Sequence, residues 1–181
     1  MQIFYGSAIQ GAKDRSERAY VHRTLIELIK SKGHEVISEH TTGKDKGETA
    51  ELLEKAIGPL PPLGIERTVY VRRKMIEAVE GDIGAAIFEV STPSTGTGIE
   101  IAHAYLRPEK GLPEIPILSL YQKGHWPNGL SSMIRGIAHE EIPKFHLKEY
   151  TDLEDAKSCV LEFLKKDRTQ KQGNYVPDKT I

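Results

Sequence analysis

Residues 83–90, IGAAIFEV, are apolar almost without interruption, and a dense cluster of turn formers, STPSTGTG, follows at once. A strand without polar alternation must be covered on both faces, which is the condition of a central strand in a parallel sheet. Parallel strands need long crossovers, and the chain supplies them. MQIFYG, HEVISEH, IPILSLY and KFHLKEY read as further strands. Between them, Arg15 to Lys32 carries Ala19, Leu25, Ile26, Leu28 and Ile29 at helical spacing and stops at Gly33. Glu48 to Ile57, Arg67 to Glu80, GIEIAHAYL and LSSMIRG continue the helical series. Asp152 to Lys166 closes it, capped by Thr151 or Asp152. This alternation predicts an α/β fold, a doubly wound parallel sheet of the Rossmann-like or flavodoxin-like kind, with about five strands and helices on both faces.

The 181 residues suit one domain, expected over 1–167, with 41–66 as a proline-containing variable insertion and 168–181 as a flexible tail. Lysine plus arginine number 25 against 26 acidic residues, so no basic surface for nucleic acid or anionic membrane is expected. Cys159 is the sole cysteine, which removes disulfide frameworks and multi-cysteine metal sites. His34, His103, His125 and His139 lack the spacing of a zinc motif, and no metal or cofactor is assigned. With no apolar run of membrane-spanning length, a soluble cytoplasmic protein is expected.

In such a sheet ligands gather at the carboxyl ends of strands near the switch in strand order. Two loops fall there. GSAIQG departs from the GxGxxG dinucleotide spacing, although Glu39 stands near the end of the second strand. STPSTGTG lacks the lysine of a triphosphate loop. By residue type the latter is either an ordinary helix cap or an anion cradle, with Ser94, Thr95 and Thr97 as hydroxyl donors and Gly96 and Gly98 letting backbone amides approach. Glu100, read as lying in the first turn of the next helix, is either a glutamate favoured by the helix dipole or a nucleophile or base at the sheet edge.

FYGSAIQGAKDR, SEH, EVSTPSTGTGIE and SSMIRG, in that order through residues 3–165, resemble the nucleoside 2-deoxyribosyltransferase superfamily, and within it the nucleoside 5'-monophosphate N-glycosidases. The resemblance implies hydrolysis of an N-glycosidic bond through a covalent glycosyl-enzyme, with Glu100 as the nucleophile held ionised by the helix N-terminus. Transferases acting on free nucleosides carry an acid at the position of Ser94. A serine there implies a 5'-phosphate, met by Ser94 and the Gly96 and Gly98 amides. Ser131, with Ser132 and Met133 beside it, would reach the phosphate across a homodimer interface. Gly6, Ser7, Ala8, Ile9 and Gly11 would wrap sugar and base, and His40 would lie near the base.

One position departs from the resemblance. Relatives place an aspartate in the helix before AAIFEV that assists the nucleophile or the leaving base, and here Arg73 falls there, three residues after Tyr70. Ile3 also stands where a tyrosine is usual in the human-type hydrolases. Glu77, one turn beyond Arg73, is the candidate substitute. Two alternatives therefore stand beside the hydrolase: a non-catalytic nucleotide-binding relative and a base-exchanging transferase.

Overall fold

The computed structural model describes residues 1–8, 15–38, 42–125, 129–140, 142 and 144–172. Five strands form one sheet: β1 (Gln2–Ser7), β2 (Glu35–Ile37), β3 (Ala85–Glu89), β4 (Ile117–Gln122) and β5 (Phe145–Tyr150). Their order is β2-β1-β3-β4-β5, every pair is parallel, and the switch in direction falls between β1 and β3. The doubly wound expectation holds. All five residues of β3 are buried, Glu89 included. The edges are blunt: β2 has three residues, and the middle of β5 carries His146, Lys148 and Glu149 at the surface.

The six helices are α1 (Arg15–Ser31), α2 (Lys46–Ile57), α3 (Ile65–Glu80), α4 (Thr95–Tyr105), α5 (Ser132–His139) and α6 (Leu153–Gln172). Leu25, Ile26 and Ile29 of α1 and Ala156, Val160, Phe163 and Leu164 of α6 pack on Ile3, Tyr5, Ile87 and Leu118. On the opposite face Val79 of α3, Ile101 and Ala104 of α4 and Ile134 of α5 cover Phe4, Ala86, Phe88 and Ile117. Alternate strand residues thus feed two separate cores, as a period of two requires.

Several boundaries differ from the sequence reading, each for a local reason. Helix α4 starts at Thr95, so the second half of the turn cluster is helix rather than loop. Helices α2 and α3 occupy much of 41–66. Asp45 caps α2 by accepting from the Glu48 amide, Glu48 accepts in turn from the Lys44 amide, and Gly58 ends the helix at φ 88°. Helix α6 is capped by Asp152, whose carboxylate accepts from the Asp155 amide, and runs to Gln172, past the expected start of the tail. At the amino end of the sheet the buried Arg107 guanidinium donates to the carbonyls of Val79 at 2.8 Å, Gly81 at 3.1 Å and Pro113 at 2.9 Å. Among the described residues no helix is long and apolar enough to cross a membrane.

Candidate functional site

Ser94 is the N-cap of α4: its backbone is extended and its hydroxyl accepts from the Thr97 amide at 3.3 Å. The Gly98 amide donates to the Ser94 carbonyl at 3.0 Å, so it closes the first helical turn and does not face a ligand, contrary to the expectation. The first-turn amides of Thr95 and Gly96 have no intrahelical acceptor, as at any helix start. Ser94 keeps its own hydroxyl hydrogen, and together these three donors form the anion-directed end of the helix.

Because α4 begins at Thr95, Glu100 lies in its second turn, and no acidic residue occupies the first. The favourable dipole term expected for it is therefore weak, since that field fades beyond the first turn. Its carboxylate instead leans over β1. A Cβ built on Gly6 would lie 3.0 Å from Glu100 Oε2 and 2.6 Å from Phe88 Cδ1. Gly6 and Phe88 are register partners on β1 and β3, so only glycine lets the ring and the carboxylate share that edge. Burial without a countercharge pushes the Glu100 carboxyl up to about 7. The sequence reading placed Glu100 in the first turn, where the dipole would favour its ionised form; in the second turn burial acts the other way.

A second carboxylate stands on the other face of the same strand ends. Glu89, register partner of Ser7, is ion-paired with Arg18 of α1 at 2.5 Å. Tyr150 donates to it at 3.0 Å, and the Ser91 hydroxyl donates to it as well. Arg18 also donates to Gln122 at 2.8 Å, and the Gln122 amide donates to the Ser91 hydroxyl at 2.7 Å. The carboxyl ends of β3, β4 and β5 are thereby tied to α1. Burial alone would raise the Glu89 carboxyl, but Arg18 and these donors hold it below the usual range. Close by, buried Tyr5 and His22 are hydrogen bonded at 3.0 Å, and burial drives the His22 imidazole down to about 4. The signal for this network was present in the sequence as a glutamate inside an otherwise apolar strand.

Among the remaining expected site residues, Ser7 and Ala8 are buried at the end of β1, and the Ser7 hydroxyl has no hydrogen-bond partner. Ile9, Gly11 and His40 lie outside the described residues. Ser131, the N-cap residue of α5, shares a cleft of about 540 Å³ with Ser94, between α4 and α5. Met133 is exposed at its rim, and Ser132 is exposed without lining it. The cleft is lined by Val90, Ile99, Ala102, Tyr105, Ile134 and Ile137, without a charged side chain, and neither Glu100 nor Gly6 borders it. The Glu100 carboxylate stands at the β1–α4 edge instead. The apolar cleft is a surface beside it.

Arg73 is exposed on α3. Glu77 is exposed too and accepts from Lys74 at 2.7 Å, so it does not replace the missing aspartate. His103 on α4 is bonded to Glu80 at 2.6 Å at the far end of the helix. His125, in the loop after β4, touches Thr92 and was not singled out by the sequence reading.

No family model matches the chain. Two curated proteins are similar to it, both named "Putative 2'-deoxynucleoside 5'-phosphate N-hydrolase 1". The one from Thermofilum pendens is 30% identical over 156 residues, covering 86% of this chain and 90% of the relative. The one from Methanosarcina mazei is 28% identical over 165 residues, covering 90% of this chain and 83% of the relative.

Proposed function

Because the chain belongs to the family of 2'-deoxynucleoside 5'-phosphate N-hydrolases, we propose that it hydrolyses the N-glycosidic bond of 2'-deoxynucleoside 5'-monophosphates, releasing free base and deoxyribose 5-phosphate. The observation that carries this reading is the Glu100 carboxylate over Gly6, without a partner among the described residues, one turn and a half from the amide-rich start of α4. In its ionised form the carboxylate attacks the anomeric carbon as the bond to the base breaks, and a glycosyl ester forms. The base leaves with a proton taken from solvent; water then attacks the same carbon and gives a proton back to solvent, the ester bond breaks, and the carboxylate is restored. Ser94 with the Thr95 and Gly96 amides meets the 5'-phosphate, while Gly6 and Ser7 at the end of β1 face the sugar. A carboxylate in place of Ser94 would repel that phosphate.

With Arg73 and Glu77 turned to solvent, no acid on α3 stands ready to protonate the departing base. The reaction is therefore expected to run ~10²–10⁴-fold below that of a relative with the aspartate. The same feature favours a second reading, a nucleotide-binding protein without turnover. We also propose a homodimer, in which a second copy covers the α4–α5 cleft. That cleft exposes Met133 and Ile99, at 76% and 44%, and Ser131 at its rim stands free to reach the neighbour's phosphate.

Incubation with a panel of deoxy- and ribonucleoside 5'-monophosphates, followed by chromatography, tests the activity. Free base is expected, at a rate that rises with pH through about 7 as Glu100 ionises, and none above background is expected from Glu100→Ala. Base release equal in the two proteins would overturn the hydrolase reading. Calorimetric binding of monophosphates without release would establish the second one.

A further inference from the structure

The anion-directed end of α4 has an electrostatic shortfall. A nucleoside monophosphate brings roughly −1.5 to −2 charges at neutral pH, whereas a helix N-terminus offers the equivalent of about +0.5. Ser94, Thr95 and Gly96 are neutral, and the lining of the adjoining cleft contains no lysine or arginine. A phosphate placed there without a cation would give up hydration for incomplete compensation.

His125 is placed to supply the difference. It lies in the loop after β4, at the same carboxyl edge as the loop that leads from β3 to α4. Gly124, at φ 72°, turns the chain, and the His125 amide donates to the Gln122 carbonyl at 3.2 Å. The half-buried imidazole is thereby directed onto the β3–α4 loop, where Nε2 lies 3.5 Å from Thr92 Oγ1. Thr92 is buried, lines the same cleft as Ser94, and precedes it by two residues, a Cα separation of at most ~7 Å. Lys123 stands beside His125 on its own loop. From the elements packed against the ring, Thr92 is the group that touches it among the described residues, and no carboxylate there holds its charge. The histidine is thus uncommitted, unlike His103, which is bonded to Glu80.

We propose that His125, steered by Thr92, is a specificity-determining residue that binds the 5'-phosphate as an imidazolium. The proposal rests on the monophosphate reading of the Ser94 end of α4. Binding then draws a proton onto the imidazole, which donates a charge-assisted hydrogen bond to a phosphate oxygen. A nucleoside without phosphate takes up no such proton.

Titration calorimetry on the full-length Glu100→Ala protein, which removes turnover and the Glu100 proton, tests this with the four common 2'-deoxynucleoside 5'-monophosphates and the matching nucleosides. Adding His125→Gln should weaken monophosphate binding about tenfold at pH 6.5 and leave nucleoside binding unchanged. The loss should shrink at pH 8.5, because a neutral imidazole brings no charge to the phosphate. The phosphate itself titrates near pH 6, so the comparison at each pH is between the two proteins. His125→Arg should keep tight binding at pH 8.5. If His125→Gln weakens nucleoside and monophosphate equally, or weakens neither, the His125 proposal falls while the monophosphate reading stands. If no monophosphate binds the Glu100→Ala protein, both fall together.

Discussion

Glu89, buried, and Glu100, half-buried, stand at the carboxyl edge of one sheet on opposite faces, yet their environments push them in opposite directions. Glu89 is met by a guanidinium, a phenol and a hydroxyl, and stays ionised at neutral pH. Glu100 is met by a glycine and the edge of a phenylalanine ring, and is drawn toward the neutral form. Burial penalises both. The difference lies in whether the fold supplies partners for the charge. A carboxylate with every lone pair engaged has little left to offer a substrate, and it serves to join elements. One kept without partners is costly to hold and available to react.

The contrast is broken most severely from the Glu89 side. Arg18→Ala leaves a buried charge uncompensated and should cost about 3–5 kcal/mol in denaturant unfolding. A loss below about 1 kcal/mol would show that the network is dispensable.

A smaller effect separates the two carboxylates by the sign of their pH dependence. Glu100 has its folded value raised to about 7, so between the ordinary carboxyl value and 7 the folded state holds the extra proton and stability falls as pH rises. His22 has its folded value lowered to about 4, so the unfolded state holds the proton between about 4 and 6.5 and stability rises with pH. In the wild-type chain these two slopes oppose each other from about pH 4.5 to 6.5. Glu100→Gln removes one of them, and its stability should climb relative to wild type by up to ~1.4 kcal/mol per pH unit across that window. Parallel curves of melting temperature against pH for the two proteins would contradict the assignment. Glu89 contributes in the other direction, with stability present above the ordinary carboxyl value and lost as pH falls through its lower folded value.

The smallest effect belongs to a third carboxylate. Glu77 is exposed and paired with Lys74, and Glu77→Gln should move stability by no more than a few tenths of a kcal/mol and leave base release unchanged. A large fall in turnover would reinstate it as the missing acid.

The sheet was legible because buried parallel strands and amphipathic helices carry their periods in the sequence, and Ile83 to Val90 alone required a central strand. The start of α4 was less so. Ser94 to Gly98 consists of residues that favour turns, and in the first helical turn those same residues serve as caps, so composition cannot tell the two apart. Helix α6 outran its apolar stripe because its last turns, RTQKQ, contain nothing apolar. Within the candidate site, Glu100 and Ser94 were singled out from motif and order. The partial burial of Glu100 depends on how α4 sits beside Gly6 of another strand, and the pairing of Glu89 depends on a helix residue 71 positions earlier. Contacts of that range leave no periodic trace. The polar residue interrupting an apolar run was the one local hint of them.

The Arg107 clasp at the opposite end of the sheet has a bearing on how the molecule responds to acid. It grips three carbonyl oxygens, which do not titrate anywhere in the range a protein meets, so lowering the pH leaves those three bonds in place. Glu89 loses its charge and His22 gains one on the way down, whereas a proton on Glu100 only relieves burial of its charge. Acid should therefore loosen the molecule first around Glu89 and His22, and the turns around Arg107 should be among the last to exchange their amide hydrogens.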